Sequence, residues 1–263
     1  MNNAESEWKN VDWRKVEVYV FKQQKRIFKA AERGELKLVR NLQKLLMRSK
    51  AAKLVAVRRV TQDNQGKKTA GVDGIKDVQP GQRFELVNQL SITSKPKPTR
   101  RVWIPKPGKT EKRPLGIPTM QDRATQALIK SVLEPEWEAR FEPNSHGFRP
   151  GRSTHDAIGA IFHSISGKPK YVLDADICKC FDRINHDELL RKINTFPSLR
   201  RLLKQWLKAG VMEGDTLFPT EEGTPQGGVV SPLLANIALH GMEEYISSHF
   251  PKRVFGQDRK SVV

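Results

Sequence analysis

Cysteine, acidic residues and long apolar runs are all scarce in this chain of 263 residues. The 2 cysteines exclude a disulfide scaffold, and Cys178 and Cys180 are too close together for a CxxC redox or zinc pair. No apolar run reaches the roughly 18 residues that a membrane span requires, and the polar N-terminus lacks a signal-peptide pattern. These absences predict a protein with no membrane partner, in a reducing, cytoplasmic setting.

The shortage of acids leaves a strongly basic protein. There are 47 Lys and Arg against 29 Asp and Glu, a formal net charge of +18, and the pI is about 10.0. The expected partner is therefore a polyanion, with nucleic acid as the first candidate. Residues 14–68 also have helical apolar spacing, which predicts two or three amphipathic helices with a break at Gly34. Their basic face either contacts phosphates or is simply solvated, and the excess of bases favours phosphate contact.

Short strands and helices are interspersed along the rest of the chain, which predicts an α+β fold. A loop over 64–74 and a helix over 79–90 come first. Further along the chain we predict strands over 102–105 and 115–117, a helix over 121–141 kinked or broken at Pro135, a loop over 144–152 and a helix over 156–165. These are followed by a strand over 170–177, helices over 187–193 and 199–209, a strand over 216–220, a turn over 223–228 and a helix over 232–248.

Acidic residues cluster where the predicted strand 170–177 ends. Asp174 and Asp176 share one strand face, and Asp182 and Asp187 follow. Carboxylates at a strand end can hold Mg²⁺, and two-metal phosphoryl transfer needs such a cluster. Two interpretations stay open on these residues alone: a metal site, or a strand followed by surface acids and helix caps. The basic surroundings favour the metal site, because a metal-bound triphosphate needs cationic partners.

Two further segments could bind a ligand. Lys106 and Arg113 flank the turn between the first two strands, so this hairpin either presents cations to phosphates or is merely an exposed basic hairpin. The turn over 223–228 contains Gln226 and Gly227, which leave polar groups and backbone open to a ligand. In isolation that turn is more simply a strand–turn–helix corner.

Four segments, taken in order, resemble the reverse-transcriptase blocks of group II intron-encoded proteins: IPKPGKTEKRPLGIPTMQDR, HGFRPGRSTHDAI, DADICKCFDRINHDELL and GTPQGGVVSPLLANI. The TAGVDG loop and the basic helices resemble that family's N-terminal extension. The resemblance spans roughly Trp8 to Met242. It implies right-hand polymerase fingers and a partial palm, with helices packed on a mixed or antiparallel sheet. A basic α-helical extension over residues 1–90 would precede fingers and incomplete palm over residues 91–263.

The resemblance also implies roles for single residues. Asp176 matches the first catalytic carboxylate and metal ligand, the Ile177 carbonyl matches a second Mg²⁺ ligand, and Asp174 has a supporting role. Phe181 matches the aromatic steric gate that excludes a ribose 2′-hydroxyl. The implied nucleotide-binding residues are Lys106, Arg113, Phe181, Gln226 and Gly227, and the implied RNA or template-primer residues are Gly147, Arg149, Arg152, Lys67 and Lys68.

The implied function is RNA-templated DNA synthesis with Mg²⁺ as cofactor, with dNTP, a DNA primer, and template or group II intron RNA as partners. The alternative is a non-catalytic, RNA-binding maturase-like fragment that assists splicing. The family's aromatic-Ala-Asp-Asp block is missing from this sequence. We therefore expect the N-terminal part of a longer reverse transcriptase, which does not polymerise unless its parent protein or a second chain supplies the missing palm acids.

Overall fold

The computed structural model describes residues 7–108, 110–167, 172 and 174–249. No helix within those residues is long and apolar enough to cross a membrane. The helices are α1 (Trp13–Glu32), α2 (Leu36–Arg48), α3 (Lys50–Arg58), α4 (Pro80–Gln89), α5 (Met120–Glu138), α6 (Thr154–Ile165), α7 (His186–Ile193), α8 (Pro197–Leu207), α9 (Ser231–Leu239) and α10 (Met242–His249). The strands are β1 (Thr99–Pro105), β2 (Lys112–Ile117), β3 (Val211–Glu213) and β4 (Thr216–Phe218).

The strands form one mixed sheet in the order β2-β1-β3-β4. β1 pairs antiparallel with β2 and parallel with β3, and β3 pairs antiparallel with β4. In the β1–β2 hairpin, Arg101 lies opposite Gly116 and Ile104 lies opposite Arg113. A small mixed sheet among many helices confirms the predicted α+β class.

Local capping explains where several helices begin. The Ser153 side chain accepts a hydrogen bond from the Asp156 amide, and Asp156 accepts one from the Ser153 amide, so the pair forms a capping box before α6. Ser49 caps α3 in the same way through the Ala52 amide. Pro80 stands in the first turn of α4, where its missing N–H leaves no helix bond unmade. The starts of α4 and α6 agree with the predicted helices.

Helix α5 forms the centre of the core. It is buried on nearly all sides and packs against α1, α2 and α3. Pro135 neither ends nor breaks it, because α5 continues to Glu138. A proline removes the N–H that would bond to the carbonyl four residues earlier, here that of Ser131. The side chain of Gln24 on α1 donates to that carbonyl instead, at 2.9 Å.

A buried ionic network fixes α5 to its neighbours. The fully buried carboxylate of Glu136 accepts a hydrogen bond from Gln43 at 2.8 Å and pairs with Arg40, both on α2. The guanidinium of Arg140 lies 2.7 Å from the same carboxylate. Arg40 also donates to the Asn194 carbonyl at 2.6 Å, just after α7. The network therefore links α2 to α5 and to the end of α7.

Two predicted elements are wrong. Residues 172 and 174–177 have no regular structure, and the remainder of the predicted strand 170–177 lies outside the described residues. A strand needs a hydrogen-bonded neighbour, and no described strand pairs with this segment. The predicted helix 232–248 is divided into α9 and α10, because the backbone leaves helical geometry at His240 and Gly241 has a φ of +89°. Lys192 from α7 donates to the carbonyls of Ala238 and His240 at this break.

Candidate functional site

The segment around Phe181 is bonded directly to the turn over 223–228. The Thr224 amide donates to the Phe181 carbonyl at 2.7 Å, and the Gly223 amide donates to the Ile184 carbonyl at 2.8 Å. Gly223 has a φ of +81°, and a Cβ there would lie 2.6 Å from the Phe181 carbonyl oxygen. Only glycine permits this approach without displacing backbone.

The same turn also contacts the β-hairpin. The Gly116 amide on β2 donates to the Gln226 carbonyl at 2.7 Å. Gly227 has a φ of +112°, and a Cβ there would lie 2.9 Å from the Gly116 carbonyl oxygen. A cavity of about 120 Å³ remains between hairpin and turn, with Asp182 and Arg101 in its wall. Three separate sequence blocks therefore meet at one place.

Buried polar side chains hold the turn from behind. His186 Nε2 donates to the Gly223 carbonyl at 2.6 Å, and Gln126 on α5 accepts from the Val229 amide at 2.8 Å. The Ser231 hydroxyl donates to the Pro225 carbonyl at 2.9 Å. Sequence reasoning missed His186 and Gln126, and it took Ser231 for the cap of the next helix rather than a support of the turn. A polar residue such as Gln126 within an apolar helix face was the available signal.

Phe181 and the neighbouring acids differ in burial. The Phe181 ring is half-buried and packs edge-on against Phe148, with centroids 6.1 Å apart. Asp176 and Ile177 are exposed. Burial raises the pKa of the Cys180 thiol, and the carboxylates of Asp176 and Asp182 raise it further, so both acids act on the same thiol.

The donor set for Mg²⁺ is small. Within the described residues no three His, Cys, Asp or Glu side chains are grouped to hold a metal ion. Mg²⁺ commonly binds one or two carboxylates and completes its shell with water and substrate phosphates. The exposed carboxylate of Asp176 and the carbonyl of Ile177 fit such a partial set.

The predicted phosphate-binding cations lie together on the hairpin. The Lys106 amide donates to the Glu111 carbonyl at 3.0 Å, which extends the pairing of β1 with β2. Strand alternation then places Lys106 and Arg113 on one hairpin face and Gly116 on the other. Lys106 Nζ donates to the Glu111 carboxylate at 2.6 Å and lowers the pKa of that carboxyl. The Gly116 amide that donates to Gln226 is a backbone group at the outer edge of β2, so this contact lies at the edge of the sheet and on neither face.

The two arginines of the loop over 144–152 donate hydrogen bonds to the loop itself and to residues just before it. All three nitrogens of the buried Arg149 side chain donate hydrogen bonds, to the Glu138 carboxylate and to the carbonyls of Glu142 and Ser145. The contact of Arg149 with template or primer stays a prediction, and within the described residues its guanidinium organises the loop. Arg152 donates to the Pro143 carbonyl at 2.6 Å, and the exposed Gly147 accepts from Asn236 at 2.8 Å.

The loop over 64–74 is anchored by a buried arginine. Arg123 on α5 donates to the carbonyls of Gly66 at 2.8 Å and Thr69 at 2.5 Å. Lys67 donates to the Gln62 carbonyl at 2.6 Å, whereas Lys68 is exposed. The loop therefore presents Lys68 to solvent while its backbone is held against the core.

Comparison with known proteins agrees with this arrangement. Residues 8–90 match the family described as the N-terminal domain of reverse transcriptase. Residues 104–261 match the family described as reverse transcriptase (RNA-dependent DNA polymerase).

Three similar proteins illustrate the relationship. Group II intron-encoded protein LtrA of Lactococcus lactis subsp. cremoris is 38% identical over 191 residues, which cover 70% of this chain and 31% of LtrA. Protein YkfC of Escherichia coli K12 is 34% identical, over 78% of this chain and 57% of YkfC. Maturase-like protein 1 of Euglena gracilis is 32% identical, over 90% of this chain and 52% of that protein. The chain thus spans about a third to just over half of each relative, and it belongs to the reverse transcriptase family, with group II intron-encoded proteins and maturases among its relatives.

Proposed function

We propose that this chain is the nucleotide-binding and RNA-binding part of a group II intron-type reverse transcriptase, whose complete protein copies RNA into DNA. One observation carries the proposal: the turn containing Gln226 is hydrogen-bonded both to the Phe181 segment and to strand β2. These are the three segments whose sequences resemble the walls of a polymerase nucleotide pocket. The folded chain brings them together from positions far apart in sequence.

Each residue then has a physical role toward a dNTP. The half-buried ring of Phe181, held by Phe148, would contact a ribose 2′-hydroxyl and so reject ribonucleotides. Lys106 and Arg113 would supply positive charge to the triphosphate. Lys106 must exchange Glu111 for a phosphate, which is feasible because exposed ion pairs are worth only about 0–1 kcal/mol.

Asp176 and the Ile177 carbonyl would hold Mg²⁺, with Asp174 in a supporting role. When bound, the metal neutralises charge on the transferring phosphate and favours deprotonation of the primer hydroxyl. The exposure of Asp176 leaves its carboxylate accessible to a nucleotide phosphate.

The basic helices α1, α2 and α3 would bind template or intron RNA. They belong to the proposed extension over residues 1–90, and residues 91–263 would form fingers and palm. Binding through many Lys and Arg side chains releases counterions, so we expect the affinity to fall steeply with salt.

A primer-extension assay on the protein that contains this chain tests the catalytic part. Asp176→Asn should abolish incorporation and leave RNA affinity unchanged, because the carboxylate lies outside the basic helices. Asp215→Asn, an exposed acid in the turn between β3 and β4, is the matched control and should retain activity. Extension that survives Asp176→Asn would contradict the catalytic assignment.

A maturase-like role without chemistry is the second candidate. The net charge of +13 over residues 14–68, from 17 bases and four acids, favours it, because that charge alone supports RNA binding. Under this alternative, RNA affinity and splicing assistance persist while neither the natural protein nor Asp176→Asn extends a primer.

A further inference from the structure

A second cavity, of about 340 Å³, opens where the N-terminal helices meet the start of α8. Lys44 and Arg48 from α2 and Lys53 from α3 contribute to its wall, as does Phe196 immediately before α8. It shares no lining residue with the cavity beside Gln226. Both parts of the chain that match reverse-transcriptase families contribute to it.

The wall of this cavity is cationic. Among the residues that the structure describes, three cationic side chains and no carboxylate line the cavity. Lys44, Arg48 and Lys53 take no part in the ion pairs formed among the residues that the structure describes. Lys44 Nζ lies 5.2 Å from the centroid of the Phe196 ring. The positive charge is therefore available to an anion from outside.

The floor of the cavity is apolar and its edge carries hydroxyls. Met47, Leu90 and Leu128 are buried beneath it. The hydroxyls of Ser91 and Thr93 are hydrogen-bonded to each other at 2.8 Å on the edge. A simple inorganic anion would pair with the cations but would gain nothing from an apolar floor, and an apolar ligand would leave the three cations unpaired. A nucleotide can contact both parts of the cavity, because its phosphate is anionic and the faces of its base are apolar.

We propose that this cavity binds a single unpaired nucleotide of the bound RNA, with the phosphate at Lys44, Arg48 and Lys53 and the base against the apolar floor. The inference rests on the proposed RNA-binding function, since α2 and α3 belong to the basic helices. A paired base is stacked within its helix and cannot enter. Proteins read RNA chiefly at such unpaired, extruded bases.

Fluorescence of a bulged base tests the proposal on the full chain. The probe is a short RNA hairpin with one bulged 2-aminopurine nucleotide, and its comparison is the same hairpin with that nucleotide paired. We expect about tenfold tighter binding of the bulged hairpin, from contact with one base. In the complex the bulged base should be protected from quenching by acrylamide.

Paired variants separate the cavity from general charge. Lys44→Gln with Lys53→Gln should remove both the preference and the protection. Lys22→Gln with Lys29→Gln removes the same charge from exposed positions of α1 and should retain both. Thermal melts check folding, and Arg48→Gln, on the exposed rim, repeats the test without altering the contact of Lys44 with Phe196.

The outcomes are distinct. Equal affinity for the two hairpins without protection, or equal losses in the two double variants, would overturn the cavity assignment and leave RNA binding standing. Equally tight binding of free 2-aminopurine riboside monophosphate would reassign the cavity to free nucleotides and also overturn it. Failure to bind either hairpin would instead refute the proposed RNA-binding function, and the inference with it.

Discussion

The side-chain amide of Gln24 donates to the carbonyl of Ser131 at 2.9 Å, across the contact between α1 and α5. That carbonyl is the one that Pro135 leaves without a helix partner. A defect inside the central helix is therefore repaired by a residue 107 positions away along the chain. The relationship couples the basic N-terminal helices to the body that carries the candidate site.

Gln24→Met should lower the free energy of unfolding by about 1–3 kcal/mol, because it leaves the Ser131 carbonyl unpaired. In a Pro135→Ala background the alanine N–H can bond to that carbonyl, so Gln24→Met should cost much less. Urea unfolding of the four proteins gives the coupling energy. Gln23→Met, next to it on α1, is the control with little expected effect. Equal costs of Gln24→Met in both backgrounds would contradict the repair.

Gly223→Ala should destabilise the protein more than Gly214→Ala. Both glycines have a positive φ, +81° and +59°, so each alanine incurs about 1–2 kcal/mol of backbone strain. A Cβ at Gly214 meets nothing within 4 Å, whereas one at Gly223 would lie 2.6 Å from the Phe181 carbonyl oxygen. Thermal unfolding measures the difference, and hydrogen exchange at the Thr224 amide should accelerate only in Gly223→Ala. Equal melting temperatures for the two variants would refute the close contact.

Much of the helical fold could be predicted because its signals are local. Apolar periodicity and the break at Gly34 give α1 and α2, Pro80 marks the start of α4, and Ser153 marks the start of α6. Strands depend more on distant partners. β3, which no local pattern predicted, is three residues long and pairs with β1 and β4, whereas the predicted strand 170–177 has no partner strand among the described residues.

The candidate site shows the same division. Phe181 and Gln226 could be chosen from sequence because each belongs to a block that resembles a known family. Arg149 was assigned to template or primer because its loop belongs to a block that resembles the family, whereas its partner Glu138 lies on α5 and was not recognisable from spacing. His186 was missed for the converse reason, since only the folded chain brings it 2.6 Å from the Gly223 carbonyl.

Arg149→Gln and Lys68→Gln should separate stability from RNA affinity. Arg149→Gln leaves Glu138 and two carbonyls without their partner, and we expect a loss of about 3–5 kcal/mol in the free energy of unfolding. RNA affinity per folded molecule should not change. Lys68→Gln should leave the unfolding midpoint in place and make the salt dependence of RNA binding shallower by about one unit. Filter binding at several salt concentrations, with urea unfolding alongside, checks both. A shallower salt dependence in Arg149→Gln would support its predicted RNA contact.

His240 should make stability depend on pH. Burial lowers the pKa of this imidazole, and the cations Lys192 and Arg140 lower it further against the opposing effects of Glu142 and Glu244. The ring packs edge-on against Trp137 and Phe141, at centroid distances of 5.7 and 5.8 Å. With the folded pKa below the unfolded value of about 6.5, the unfolded chain binds more protons in this range, so stability present above pH 6.5 is lost as the pH falls.

Unfolding of the natural protein and of His240→Gln, measured from pH 7.5 to pH 5, checks the effect of this histidine. The natural protein should lose stability over that range, and the variant should lose distinctly less because one titrating group has been removed. His155→Gln is the control: it removes an exposed histidine on α6 and should keep the pH profile of the natural protein. A His240→Gln profile parallel to that of the natural protein would show that protonation of this ring is not what destabilises the packing of α5 against the α9–α10 junction.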